Sequence, residues 1–164
     1  MQEEQSLSDV FLEDHRHLTR GLSATLQALE NDDVQAAVKI AEELDQRAGP
    51  HIRFEEEHFY PKVAERRGQA YVDQLFREHE AGRVALRGLL AERKAGELTS
   101  DEKRGIQAGL RQALDHAVSC GTLLSHVTTL EHGEQQRLVK TLLKLREAGG
   151  RWTDSARCET RALD

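Results

Sequence analysis

Hydrophobic residues recur every three or four positions along most of this chain, which is the period of an amphipathic α-helix. The first such segment predicts a helix from Leu7 to Glu30, and Ser6-Leu7-Ser8-Asp9 favours its start as a capping box. His15 lies on the apolar stripe of this helix, while His17 is predicted to face water. The other residues of the stripe are Phe11, Leu18, Leu22, Leu26 and Leu29.

The same periodicity predicts further helices over residues 33–66, 69–94 and 99–130, and a short fifth helix between Gly133 and about Glu147. Within the second of these, Gly49-Pro50 predicts a kink or a split, because proline lacks the amide donor and clashes with the preceding turn. Pro61 is expected to bend the same helix again. Gly149-Gly150 ends the last helix.

These elements predict an all-α fold, an up-down-up-down four-helix bundle with a short C-terminal extra helix. The bundle occupies residues 1–148, and residues 149–164 form a flexible tail from which Trp152 is able to dock. Composition agrees, since 164 residues suffice for one domain with a core, and two prolines, 4% aromatic and 32% charged residues suit helices.

Charge and composition exclude several function classes. The net charge is −6 and the basic residues are scattered, which argues against a nucleic-acid surface. No apolar run reaches the ~18 residues of a membrane span, and the polar, acidic N-terminus does not resemble a signal peptide. Cys120 and Cys158 give no disulfide framework, so a cytoplasmic, reducing setting is expected. The oligomeric state is not predicted.

Four histidines occupy mirrored positions, and this spacing is the most informative feature of the chain. The gaps are 51 − 15 = 36 and 116 − 79 = 37 residues, and the midpoints between neighbouring histidines fall in predicted turns. Folding the helices back at those turns brings all four imidazoles to one level, because two residues of error shift a helix by only about 3 Å. Such a layer inside a bundle is typical of a metal site. The histidines are His15, His51, His79 and His116.

The strongest local motif is His51-Ile52-Arg53-Phe54-Glu55, because side chains four residues apart in a helix reach the same small volume. Imidazole and carboxylate donors together suit iron, zinc or manganese. Of the run Glu55-Glu56-Glu57, only Glu55 is expected to face inward. His58 shares the stripe of Glu55 and is a further candidate ligand, or a residue behind the ligands or at the surface.

A faint internal duplication supports two related halves. A shift of 65 residues places His51 on His116, and a shift of 64 places His15 on His79. The pattern fits two helical hairpins related by a pseudo-twofold axis.

In their order and spacing these residues resemble the hemerythrin-like (HHE cation-binding) domain, over roughly residues 8 to 145. The resemblance is carried by His15 in an Asp-His-x-x-Leu setting, His51-x-x-x-Glu55 followed by Phe59-Tyr60-Pro61, His79 after Glu78, and His116. It implies a four-helix bundle with a non-haem di-iron centre that binds dioxygen, or senses oxygen, nitric oxide or iron. The ligands that it implies are His15, His51, Glu55, His79 and His116.

The chain departs from the family where the second His-x-x-x-Glu repeat ends in Cys120 instead of a carboxylate, and Leu124-Ser125-His126 replaces the following Phe-Pro segment. Cys120 is interpreted first as a packed small residue and second as a thiolate ligand. His126 lies about 15 Å from His116 along the axis and cannot substitute. His126 and His132 are predicted to face solvent.

Three functions remain open. The first is a mono- or di-iron protein that binds a small diatomic ligand such as dioxygen or nitric oxide, or senses iron. The second is an enzyme, such as a di-metal oxidase, which is less favoured because ferritin-like sites use more carboxylates than the one aligned glutamate here. The third is a partly degenerate site that binds a single zinc or iron and acts as a regulatory or interaction bundle.

Overall fold

The computed structural model describes residues 5–95 and 97–155, without the side chains of residues 92–95. Within those residues the secondary structure is entirely helical. The α-helices are α1 (Leu7–Glu30), α2 (Val34–Phe54), α3 (Tyr60–Arg67), α4 (Gln69–Ala95), α5 (Ser100–Ser119), α6 (Leu124–Val127) and α7 (His132–Ala148). A π-helical segment covers Glu55–Phe59, and 3₁₀ turns cover Cys120–Leu123 and Trp152–Asp154.

Side-chain caps fix where two of the long helices begin. The Ser6 hydroxyl accepts the backbone N–H of Asp9 at 3.0 Å, as the sequence predicts for α1. Thr99 and Glu102 form a full capping box at the start of α5, each side chain bonding the other residue's backbone N–H. Such caps satisfy amides that have no partner within the helix.

The histidine layer lies between two hydrophobic clusters. One cluster is rich in leucine and alanine and includes Leu18, Leu22 and Ala113, while the other is rich in aromatic residues and includes Phe11 and Phe54. Neighbouring helices α1–α2 and α4–α5 pack together, as do α1–α5 and α2–α4. The long helices therefore surround a common interior with a polar layer between two apolar ones.

The second predicted helix does not split at Gly49-Pro50. Instead, α2 is continuous through Pro50 to Phe54, although an internal proline costs about 3 kcal/mol. The buried neighbours Ala48 and Ile52 hold both sides of Pro50 in the core and offset that cost. The helical pattern changes later, where the Tyr60 N–H bonds the Glu55 carbonyl five residues back.

The fourth predicted helix is shorter than expected. α5 ends at Ser119, and a 3₁₀ turn and the short helix α6 replace its predicted continuation to Leu130. Hydroxyl groups account for the change, since the side chains of Ser119, Thr122 and Ser125 each donate to a carbonyl three residues back. Such bonds compete with the regular helical ladder.

The first part of the C-terminal tail contacts the bundle. Residues Trp152–Asp154 pack against α2 and α4, and Trp152 is 3% exposed. Trp152 therefore docks, as the sequence analysis allows, because its indole ring buries a large apolar area. The flexibility of residues 149–164 stays a prediction. Cys158 lies outside the described residues. Every helix of the described part of the chain is too short or too polar to span a bilayer.

Candidate metal centre

Four helices each contribute one buried histidine to a single cluster. His15 comes from α1, His51 from α2, His79 from α4 and His116 from α5, and none is more than 8% exposed. They form two edge-to-face pairs, since the ring centroids of His15 and His51 lie 4.6 Å apart, as do those of His79 and His116. The structure thus brings together the four histidines that the sequence singles out.

Acidic residues on adjacent helices orient one ring of each pair. Asp14 of α1 accepts a hydrogen bond from Nδ1 of His51 at 2.8 Å, and Glu78 of α4 accepts one from Nδ1 of His116. Each acid directly precedes a histidine of its own helix, and the shift that relates the two halves also relates the acids, because 14 + 64 = 78. The pseudo-twofold relation therefore extends to the carboxylates behind the rings.

The other ring of each pair also donates from Nδ1, but the two acceptors are not related by the internal duplication. His15 donates from Nδ1 to the Phe11 carbonyl at 2.8 Å, and His79 donates from Nδ1 to Glu56 at 3.0 Å. With Nδ1 donating outward, a neutral imidazole carries its lone pair on Nε2. All four rings turn Nε2 toward the centre of the cluster, which is how outer carboxylates and carbonyls prepare histidines for a metal.

Glu55 lies at the centre, between the two histidine pairs. Its Oε1 atom is 3.1 Å from Nε2 of His51 and 3.5 Å from Nε2 of His15. Its Oε2 atom is 3.0 Å from Nε2 of His79 and accepts a hydrogen bond from the Tyr60 hydroxyl at 3.2 Å. One carboxylate oxygen therefore faces each pair, which is the arrangement needed to bridge two cations or to bind one.

Two buried atoms in this arrangement lack a hydrogen-bond partner. Nε2 of His51 and Oε1 of Glu55 approach to 3.1 Å without hydrogen-bond geometry, and each is inaccessible to solvent. A buried polar atom without a partner costs free energy, and one cation between a nitrogen and an oxygen donor satisfies both. The residues present therefore fit a metal ion.

Protons balance the charge of the cluster when no cation does so. Burial opposes a charge on His51 and His79, but adjacent carboxylates outweigh it and raise the pKa of each to about 9. Burial and its charged neighbour lower the pKa of His15 to about 4. The pKa of Glu55 lies well below its usual value, because His51 and His79 outweigh its burial. One proton on each histidine pair thus supplies positive charge that a bound cation would otherwise supply.

Cys120 reaches the cluster as well. Its thiol lies 3.2 Å from Nε2 of His116, and its sulfur forms, with donor atoms of His15 and Glu55, a group within 4.8 Å of one another. A second such group consists of Glu55, His79 and His116. Burial and the nearby carboxylates raise the pKa of the Cys120 thiol, so it stays protonated unless a cation stabilises the thiolate.

The π-helical segment brings in two residues that the sequence analysis missed. Glu56 is 7% exposed and contacts His79, although it was predicted to be solvated. The Tyr60 hydroxyl lies 2.9 Å from Nε2 of His79 and 3.4 Å from Nε2 of His116. The wider π turn rotates adjacent positions inward, and Pro61, which has no amide hydrogen, is the available signal for it.

The remaining histidines lie outside the cluster. His58, a candidate ligand from the sequence, belongs to neither group of possible metal ligands among the described residues, and its side chain is 40% exposed and lies 3.8 Å from Glu57. The π turn that moves Glu56 inward rotates His58 outward. His17 and His126 are half-buried and His132 is exposed, away from the centre.

A small cavity adjoins the cluster. Its volume is ≈ 10 Å³. Its walls include Glu55 and three of the four histidines, together with apolar side chains and Trp152; the histidines are His15, His79 and His116. That volume corresponds to about one water-sized molecule. The aromatic side chains of Phe54 and Phe59, on the other side of the layer, are fully buried and exclude water.

Comparison with known proteins identifies one family. The model of the family described as Hemerythrin HHE cation binding domain matches residues 6–120, which contain all four histidines, Glu55 and Cys120. No curated protein and no solved structure matches the chain significantly.

Proposed function

This chain belongs to the hemerythrin HHE cation-binding domain family, and from that premise we propose that it binds one or two non-haem iron ions. Through these ions it would bind a small diatomic ligand or sense iron. The observation that carries the proposal is the convergence of the Nε2 atoms of three histidines on the two oxygens of Glu55, with a ring nitrogen of His116 within 4.8 Å of the same carboxylate. Imidazole and carboxylate donors suit iron. The physiological ligand would be dioxygen or nitric oxide.

Each histidine pair and one oxygen of Glu55 would hold one ion. His15 and His51 face Oε1, whereas His79 faces Oε2 and has His116 beside it. Further donors are unequal on the two sides, because the Tyr60 hydroxyl lies beside His79, and Cys120 stands where the duplicated pattern places a second carboxylate. We therefore expect the two positions to bind iron with unequal affinities. A protein with iron at only one position would be the extreme case.

Bound iron would supply a position for a diatomic ligand and a change of oxidation state. The chain itself supplies the surroundings: Asp14 and Glu78 hold rings from behind, and Phe54 and Phe59 exclude water. The cavity beside the cluster has room for about one water-sized molecule, which supports a small ligand.

The family also suggests the finer architecture. We propose the up-down-up-down four-helix order for α1, α2, α4 and α5, with α7 as the extra helix. The packing of α1 with α2 and of α4 with α5, each pair joined by a short turn, supports it. The cytoplasmic location stays a prediction.

Metal content of matched variants tests the proposal. We expect iron-loaded protein to retain at least about one equivalent after desalting, and Glu55→Gln to lose most of it, because an amide cannot supply the negative charge between the pairs. Glu57→Gln is the control, since Glu57 is adjacent but partly exposed and bonded away from the cluster. Equal retention by both variants, or less than a tenth of an equivalent in the parent, contradicts the proposal.

A second candidate is a site that binds a single zinc or iron in a regulatory or interaction bundle. The observation that favours it is Cys120 in place of a carboxylate, within reach of His15 and Glu55. Thiolate and imidazole donors suit zinc. A parent protein that takes up one zinc in preference to iron, and shows no spectral response to dioxygen or nitric oxide, supports this candidate.

Reversible binding is favoured over turnover by the way the acids are used. Asp14, Glu56 and Glu78 accept hydrogen bonds from Nδ1 atoms, which leaves Glu55 as the described carboxylate that faces the Nε2 atoms. Enzymatic di-metal sites in bundles use several carboxylates on the ions. Sustained consumption of peroxide or nitric oxide by the iron-loaded protein would reverse this preference.

A further inference from the structure

We propose that residues 149–155 form a strap whose Trp152 side chain closes the cavity beside the histidine cluster and restricts the bound ligand to about diatomic size. The proposal rests on the proposed function, because selection by size requires an ion that accepts a ligand. The strap lies beyond residues 6–120, which the family model matches, so it is a separate feature of this chain.

Glycines let the strap cross the bundle. Gly149 and Gly150 have φ angles of 69° and 118°, which residues other than glycine rarely adopt, and they turn the chain back after α7. The strap then crosses α2 at Gly49, where a Cβ atom would lie 2.1 Å from the Gly150 carbonyl oxygen. Glycine at position 49 is therefore required for this close approach of two backbones.

A prepared gap in α4 receives the indole ring. A Cβ atom at Gly82 would lie 2.4 Å from the ring of Trp152, so a side chain at position 82 would displace it. The ring is 3% exposed and stands edge-to-face to His79 with centroids 6.4 Å apart. Trp152 thus forms a wall of the cavity next to a candidate ligand.

Hydrogen bonds to two helices anchor the strap. The backbone N–H and the hydroxyl of Thr153 donate to the buried carboxylate of Asp45 in α2, at 2.8 and 2.6 Å. Arg87 of α4 donates to the Thr153 carbonyl at 2.6 Å. Hydrogen bonds to charged groups are about twice as strong as neutral ones, so these bonds hold Trp152 in place. A local opening of the strap would break them and free the indole ring.

The consequence is a size limit set by one residue. The cavity holds about one water-sized molecule, and the indole is the largest apolar group in its wall. Removing the ring would join the space that it fills to the space beside His79. Ligands with the same donor group but a larger body should then bind, whereas the affinity of the smallest ligands should hardly change.

The test compares formate with benzoate, two carboxylates that differ in bulk. Both are titrated into iron-loaded parent, Trp152→Phe and Trp152→Ala, with absorbance as the readout and bound iron measured for each protein. We expect the ratio of benzoate to formate affinity to rise at least about tenfold in Trp152→Ala and by an intermediate factor in Trp152→Phe. An unchanged ratio in variants that retain their iron overturns the proposal.

Fluorescence gives a second readout that does not need metal, because Trp152 is the only tryptophan in the sequence. We expect Thr153→Val, which removes the hydroxyl bond to Asp45, to increase acrylamide quenching of Trp152 about twofold or more. Thr141→Val, on α7 away from the strap, is the control. Equal quenching in both variants contradicts a strap held by Asp45, even if Trp152→Ala fails to fold. A parent without bound iron refutes the proposed function instead, and quenching then decides the strap alone.

Discussion

Asp14 on α1 accepts a hydrogen bond from Nδ1 of His51 on α2 at 2.8 Å, which ties the orientation of one candidate ligand to a neighbouring helix. The same carboxylate also accepts a hydrogen bond from Arg146 of α7. His51 and Arg146 hold the pKa of Asp14 below its usual value, although its burial acts in the opposite direction. Helix α7 is thereby connected to the histidine cluster through the single acid Asp14.

Removing that acid should weaken the cation site without removing a ligand. We expect Asp14→Ala to lower iron affinity by about 10–100-fold, because an unsupported ring loses both its orientation and part of its basicity. Competition with a chromophoric chelator measures the change. Asp115→Ala is the matched control, since Asp115 also directly precedes a histidine but is exposed. Equal affinities for the two variants would show that Asp14 does not position His51.

Stability of the metal-free protein should pass through a maximum near pH 6.5. His51 and His79 have pKa values raised from 6.5 to about 9, so their stabilising protons are fully present below pH 6.5 and are lost as the pH rises through 9. His15 has its pKa lowered to about 4, so its contribution is lost as the pH falls from 6.5 through 4. Urea midpoints across this range measure both sides, and a steady rise in stability toward pH 9 would contradict these shifts.

The Tyr60 hydroxyl should stabilise the cluster even without metal. It bonds Glu55 and lies 2.9 Å from Nε2 of His79, so Tyr60→Phe leaves buried polar atoms short of a partner. We expect a loss of about 1–2 kcal/mol in the free energy of unfolding, measured by urea denaturation. Tyr71→Phe serves as the control, because Tyr71 is only half-buried on α4. Equal losses would remove Tyr60 from the hydrogen-bond network.

Cys120 should determine how many iron ions bind. Cys120→Glu places a carboxylate at the position related to Glu55 by the 65-residue shift, since 55 + 65 = 120. We expect this variant to bind more iron per chain than the parent, toward about two, because both histidine pairs would then share two carboxylates. Cys120→Ser is the control of similar size. If the glutamate and serine variants bind equal amounts of iron, position 120 is not the second bridging place.

Much of the fold was predictable because helical periodicity and caps are local signals. The starts of α1 and α5 follow from Ser6 and Thr99, and the common level of the histidines follows from their spacing along helices of fixed rise. The early end of α5 depends on serine and threonine hydroxyls that bond carbonyls of their own chain. No hydrophobic pattern reports those bonds.

The rest of the site depends on contacts between helices and on one local irregularity. Asp14 and Glu78 each orient a histidine of the next helix, and their signal was an acid directly before a histidine in both halves of the chain. Glu56 and His58 exchange their expected places because the π turn at Glu55–Phe59 changes which positions face inward. Trp152 reaches the cluster through the strap, which is visible only once the backbone approach at Gly49 is known.

The proposed function requires that four imidazoles and Glu55 surround one or two iron ions. The most direct measurement is the iron content and absorption spectrum of protein loaded with ferrous iron under nitrogen, before and after exposure to air. We expect at least about one iron per chain and a new charge-transfer band after exposure, with the iron content reduced in His79→Ala and kept in His132→Ala. Less than about a tenth of an equivalent of iron, or equal binding by the two variants, would contradict the proposed function.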